Sequence, residues 1–313
     1  DRTSITVEGD LVGTLAYTYS RRPPRTVRPR PNVTIQLCSI ECCMMHALDD
    51  PACPHNARFR EDLEAWGRLC RRIGIWHYQV NFWSLLSPVP NLRSLGPTVR
   101  FFAANGVKGL FMQSGSGTPA SEMSDLRNYL ISSLLWDPSR SARQLMHEFL
   151  DLYFGRAGGP IRVYLDTLHD QVLARLAENH ELGQGCHMPL AKHNALFGID
   201  EETVRCGLRA FDEAEALAES EVLLDRVRKA SLCAYRAALD PIFQATPGCN
   251  AGYTDDPPRC LTPEERARLE PLARRFFERC RRYGVVQLRS WDLPELKPNR
   301  ADIRQVEGIL AKI

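Results

Sequence analysis

No stretch of this 313-residue chain approaches the roughly 20 consecutive apolar residues that a membrane-crossing helix needs, so no membrane span is expected. Neither sign of charge is in excess. Forty Lys and Arg against 38 Asp and Glu leave +2, too even for the basic face that nucleic acid or an anionic lipid surface demands. The chain has no glycine-rich dinucleotide turn opening a helix and no phosphate loop with its Lys-Ser/Thr pair. Paired Cys-x-x-Cys zinc spacing and internal repeats are missing as well. We therefore expect no cofactor. A charged-then-apolar leader is also lacking ahead of Asp1, and the expectation is a removed leader or a piece of a longer protein.

What is there is an ordinary globular composition, 44% hydrophobic and 25% charged, of a length that suggests two domains. The first part alternates strand and helix signals. Thr14–Ser20, Val33–Ser39, Ile75–Phe82 and Val107–Gln113 are short apolar, β-branched or aromatic runs. Between them, Asn56–Arg72 repeats Phe59, Leu63, Trp66 and Leu69 at helical spacing, and a second helix is expected over Asn91–Asn105. Strand, helix, strand, helix at this spacing implies parallel strands joined by helical crossovers.

After Gly117 only helical patterns continue. They are Glu122–Leu135, Ser141–Phe154 with Ser141 as N-cap, Ile161–Glu178, Asp200–Ser220, Glu221–Phe243, and a helix opened by Thr262-Pro263-Glu264-Glu265 and running to Tyr283. The expected fold is α/β. About four parallel strands form the C-terminal half of a (β/α)8 TIM-type barrel over residues 1–139, and an α-helical domain follows over 140–313. A complete barrel needs about 250 residues, and four strands alone leave two open edges, so a truncated chain lacking the N-terminal barrel half is expected.

In a barrel, ligand-contacting residues stand at the C-terminal strand ends and in the loops that follow. That rule selects Tyr17 and Tyr19, then Glu41, then Trp76, His77, Tyr78 and Asn81, then Gln113 and Glu122. Aromatics, amides and carboxylates suit stacking on sugar faces and hydrogen bonding to hydroxyls.

The residues that carry a family resemblance are Tyr17-Thr18-Tyr19 with Pro23-Pro24, Cys38 with Ile40-Glu41-Cys42, and Cys53 with Asn56. Trp76-His77-Tyr78 with Asn81-Phe82, Pro90-Asn91-Leu92, Gly106-Val107-Lys108-Gly109 with Gln113, and Leu134-Leu135-Trp136-Asp137-Pro138 continue it. Over about Thr14–His169 the chain resembles the bacterial family catalogued as domain of unknown function 4838, similar in architecture to α-glucuronidases and β-hexosaminidases. The resemblance implies a glycoside-hydrolase-like barrel, usually exported, followed by helices.

Glycoside hydrolysis uses two carboxyl groups about the scissile bond. Glu41 and Glu122 are the candidates, with Tyr17, Tyr19, His77, Tyr78, Asn81 and Gln113 as substrate contacts. Bland alternatives stand beside each. Glu41 could be an Arg-paired loop acid, Glu122 a helix-start acid, His77 a core histidine, and Gln113 a tie for the glycine-rich loop. The function expected is acid/base cleavage of a glycosidic bond in a polysaccharide-derived glycan, and the alternative is a non-catalytic glycan-binding or scaffolding module.

Eleven cysteines suggest an oxidising setting, extracellular or periplasmic. Cys249 and Cys260 flank a Gly/Asp/Pro-rich loop and are candidates for a disulfide. Cys38, Cys42, His46, Cys53 and His55 offer metal-type ligands, but a disulfide from Cys42 or Cys43 to Cys53 is preferred because free thiolates do not persist in such a compartment.

Overall fold

The computed structural model describes residues 11–115, 118–246, 249 and 258–289. Four strands, β1 (Val12–Ala16), β2 (Val33–Cys38), β3 (Ile73–Tyr78) and β4 (Gly109–Gln113), form one sheet in the order β1-β2-β3-β4. Every neighbouring pair is parallel. Helix α1 (Pro54–Leu69) connects β2 to β3, and α2 (Leu95–Ala104) connects β3 to β4. The β1–β2 connection is a loop instead. Its four prolines, at 23, 24, 29 and 31, remove the N–H donors a helix would need.

Side chains alternate faces along each strand, and α1 and α2 seal one face of the sheet. Ala16, Ile35, Leu37, Ile73 and Ile75 pack there against Phe59, Leu63 and Trp66 of α1 and Phe102 of α2. Burial of each large apolar side chain contributes about 1.5–3 kcal/mol.

The largest departures from the expected strand boundaries are the ends of β1 and β3, each four residues short of the sequence expectation. β1 ends at Ala16 rather than at Ser20. Ser20 Oγ accepts from the Tyr17 N–H at 3.1 Å and the Ser20 N–H donates to the Tyr17 carbonyl at 3.0 Å, curling Thr18–Ser20 into a single helical turn. β3 stops at Tyr78, so Asn81 and Phe82 belong to the following loop.

The helices that follow the sheet are α3 (Ser124–Trp136), α4 (Ala142–Phe154), α5 (Gly158–Glu178), α6 (His193–Phe197), α7 (Glu201–Leu217), α8 (Glu221–Ala230), α9 (Leu232–Ala238), α10 (Asp240–Ala245) and α11 (Pro263–Arg282). Ser141 caps α4 by accepting from the Gln144 N–H, as its sequence position implies. Thr262 and Glu265 form a reciprocal capping box at the start of α11. The single helix expected over Glu221–Phe243 is three. Pro241 sits in the first turn of α10, where its missing N–H and its ring end the preceding ladder.

One apolar cluster runs from Cys38, Tyr78 and Phe82 at the end of the sheet into α3, α4, α5 and α7. The core is therefore continuous across residue 139. Among the described residues, no helix is long and apolar enough to cross a membrane.

Candidate functional site at the C-terminal end of the sheet

The face of the sheet opposite α1 and α2 carries Leu15, Tyr17, Gln36, Cys38, Trp76, Tyr78, Phe111 and Gln113. Strand register aligns them in rows, Cys38 with Trp76 and Phe111, and Tyr78 with Gln113. Trp76 stacks on Tyr78 with ring centroids 5.7 Å apart and planes 14° from parallel, and Phe111 tilts against Trp76 at 5.1 Å. Trp76 Nε1 donates to Gln113 Oε1 at 2.7 Å, which orients the Gln113 amide and leaves its two N–H donors for other partners. Leu15 and Phe111 remain nearly half exposed, 46% and 48%, and Gln36, Trp76 and Gln113 are half-buried, so this face is open except at Cys38 and Tyr78 near the strand ends, which are buried.

Tyr17, Cys38 and Tyr78 meet near the strand ends, together with Cys186 from the segment between α5 and α6. Burial is the chief cause that raises the Tyr17 phenol, and Cys186, Cys38 and Glu41 add to it. Burial likewise drives Tyr78 upward, and it pushes the Cys38 thiol up to about 11. All three stay protonated near neutrality.

Glu41 follows β2 on an exposed turn and reaches Arg21, whose Nη1 lies 2.5 Å from its Oε2. Arg21 is itself buried and donates from Nε to Asp62 of α1 at 2.9 Å. Burial opposes the Arg21 charge, yet the Asp62 hydrogen bond and the flanking acidic groups prevail and raise its pKa. Thr18, Tyr19, Arg21, Glu41, His55 and Arg58 line an open cleft of about 360 Å³. Tyr19, 96% exposed, stands at this cleft rather than on the wall of the sheet.

Glu122 sits elsewhere. It is buried, and Arg127 Nη2 donates to its carboxylate while the same guanidinium binds the Asn91 side chain and the Val89 carbonyl. Burial raises the Glu122 pKa, opposed by the Arg127 charge. This ion pair ties the loop after β3 to the start of α3, and the Glu122 carboxylate shares no partner with Glu41.

His77 points to the sealed face. Its Nδ1 lies 2.7 Å from Ser39 Oγ, its Nε2 lies 2.5 Å from Gln79 Nε2, and its ring meets Phe102 edge-on at 5.5 Å. Burial lowers its pKa to about 3, so it is a neutral core histidine. Asn81 is fully buried as a clamp. Its Nδ2 donates to the Met188 carbonyl, and its Oδ1 accepts from the N–H groups of Trp83 and Met188. The structure thus brings Tyr17, Glu41, Tyr78 and Gln113 to one end of the sheet. It sets His77, Asn81 and Glu122 into supporting roles.

Sequence reasoning missed the segment 179–192, which crosses the end of the sheet. The Phe82 N–H donates to the Cys186 carbonyl at 2.8 Å and the Gly185 N–H to the Cys42 carbonyl at 3.2 Å. His187 packs against Phe82 and Trp83. No local pattern announces a contact between positions more than 100 residues apart. Arg21 also went unread: residues 11–40 contain no acid, and only the fold brings Glu41 and Asp62 to it. Among the cysteines, Cys43 rather than Cys42 meets Cys53, and His46 joins them. Cys249 is buried whereas Cys260 is an exposed free thiol, and the two are not joined.

The family described as Domain of unknown function (DUF4838) matches residues 9–166, just over half of the chain. The chain belongs to that family. No curated protein and no solved structure matches it. The matched region takes in the whole sheet, α1 to α4 and most of the first half of α5, so every residue of the open wall lies inside it.

Proposed function

We propose that this member of the DUF4838 family is a carbohydrate-active, glycoside-hydrolase-like protein whose open sheet face, with Glu41 near its rim, holds a polysaccharide-derived glycan. The observation that carries the reading is the grouping at one end of a parallel sheet: the part-exposed Trp76 ring backed by the buried Tyr78, the oriented Gln113 amide, and Glu41 on the adjoining turn. Aromatic faces take the C–H side of a pyranose, and amides and phenols take its hydroxyls. Glu41 supplies one carboxyl group of an acid/base pair, held by Arg21 as its positioning partner. The open face and the exposed β1 and β4 edges are where further strands would complete a barrel and bring the second carboxyl group.

The burial of Glu122 favours a second reading. Locked to Arg127, that carboxylate is out of a substrate's reach, and a chain with Glu41 alone is a glycan-binding module without turnover. Glu41→Gln in the full chain separates the two, assayed on a panel of chromogenic neutral and acidic aryl glycosides alongside calorimetric binding of oligosaccharides. Catalysis by Glu41 predicts a rate loss of about 10²–10⁴-fold with binding retained. Binding without turnover in the parent chain selects the module. Absence of both binding and turnover rejects both readings.

A further inference from the structure

The loop between β2 and α1 holds a group of side chains that the sugar reading does not use. Cys43, His46 and Cys53 each turn a ligand-type atom inward, and these three atoms all lie within 4.8 Å of one another. Cys43 Sγ is 3.4 Å from His46 Nδ1. Both cysteines are only 1% exposed, and His46 is half-buried. We propose that Cys43, His46 and Cys53 form a binding site for a thiophilic divalent cation of the zinc class, with water in the fourth coordination position.

Three observations support it. First, a tetrahedral ion with bonds of about 2.3 Å to sulfur and about 2.0–2.1 Å to nitrogen sets its ligand atoms about 3.5–3.8 Å apart, and the Cys43–His46 separation already approaches that spacing. Second, one nitrogen and two sulfurs are the donors that zinc prefers, while calcium and magnesium call for oxygen. Among the described residues no carboxylate joins the group. Third, the loop is braced before any ion arrives. Asn56 of α1 accepts from the Cys43 N–H at 3.0 Å and donates to the carbonyls of Cys43 and Ala47. Arg60 donates to the Asp50 carbonyl at 2.8 Å, and Cys53 is the N-cap residue of α1 with Pro54 behind it.

A disulfide between Cys43 and Cys53 would use the same sulfurs, but it gives no reason for an imidazole turned in against them. His46 is the residue that distinguishes the two. An ion here would hold the turn on which Glu41 lies two positions before Cys43, so it would stiffen the cleft whatever ligand that cleft takes.

The test uses the full chain, reduced, stripped with a chelator and titrated with cobalt(II) and then zinc. The expected result is one cobalt per chain with thiolate-to-cobalt charge-transfer absorption, displaced by zinc, and a zinc-dependent rise in Tm. His46→Gln and Cys53→Ser are expected to weaken binding by more than the about 10–100-fold that loss of an outer-sphere partner costs. Cys70→Ser, at a half-exposed thiol away from the group, is expected to leave binding unchanged. Near-ultraviolet circular dichroism checks that each variant is folded. Failure of the folded, reduced parent to bind cobalt through thiolate overturns the proposal. So does binding that survives His46→Gln, or a Cys43–Cys53 disulfide that re-forms and excludes metal. Glycan binding by the same preparations is scored separately, so loss of one reading leaves the other standing.

Discussion

The two faces of the sheet are built from alternate residues of the same four strands, yet they have opposite fates. On one face Ile35, Leu37, Ile73 and Ile75 disappear beneath α1 and α2, and even His77 is enclosed and neutral. On the other, Leu15, Trp76, Phe111 and Gln113 stay partly or largely in reach of solvent. Stability is concentrated on the first face, while the second leaves aromatic and polar side chains within reach of solvent. The alternation of side chains lets one strand serve both ends without compromise.

A matched pair of phenylalanines tests that contrast most sharply. Phe59 is fully buried under the sealed face, and Phe59→Ala is expected to cost about 3–5 kcal/mol by urea unfolding. A cost below about 1 kcal/mol would mean that α1 does not hold the sheet. The next effect is a pH dependence belonging to the buried side. Burial lowers His77, His169 and His193 from 6.5 to about 3, about 4 and about 3. The unfolded chain takes up those protons near pH 6.5 and the native chain only near pH 3–4, so stability is lost as pH falls below about 6.5. Each histidine contributes up to about 1.4 kcal/mol per pH unit. Burial also raises Asp240, to about 6, and Glu122; both act in the opposite direction as pH falls and offset part of the histidine loss. Urea midpoints at pH 6.5, 5.5 and 4.5 are therefore expected to fall steadily, and more gently in His77→Gln. A flat profile would refute the neutral core histidine. The smallest effect belongs to the open face: Phe111→Ala is expected to change stability by less than about 1 kcal/mol, while weakening any glycan that the parent chain binds. A large loss of stability there would mean that the open face is packed in solution.

Much of the sheet was legible in the sequence alone. Strand positions, the α1 and α2 crossovers, the Ser141 cap and the Thr262 capping box followed from local signals, each involving residues within about one turn of one another. Errors came where a local signal met a competing contact. Tyr17 and Thr18 read as strand, but a hydroxyl three residues on captures the backbone. The run over Glu221–Phe243 read as one helix, although Pro241 was visible within it. At the site, Tyr17, Glu41, Tyr78 and Gln113 were recognised as strand-end residues. The different fates of Glu41 and Glu122 were not foreseeable, because accessibility depends on Arg21, Asp62 and Arg127 brought in by other elements.

Periodicity, capping residues and proline placement by themselves determined an α/β chain with parallel strands first and helices after, since these act through neighbours a few positions away. Only the tertiary structure decided which carboxylate meets solvent, which cysteine faces His46, and that the segment 179–192 closes over the strand ends. Those outcomes depend on packing between positions up to more than 100 residues apart, where burial and partner geometry set the energy and no local pattern records it.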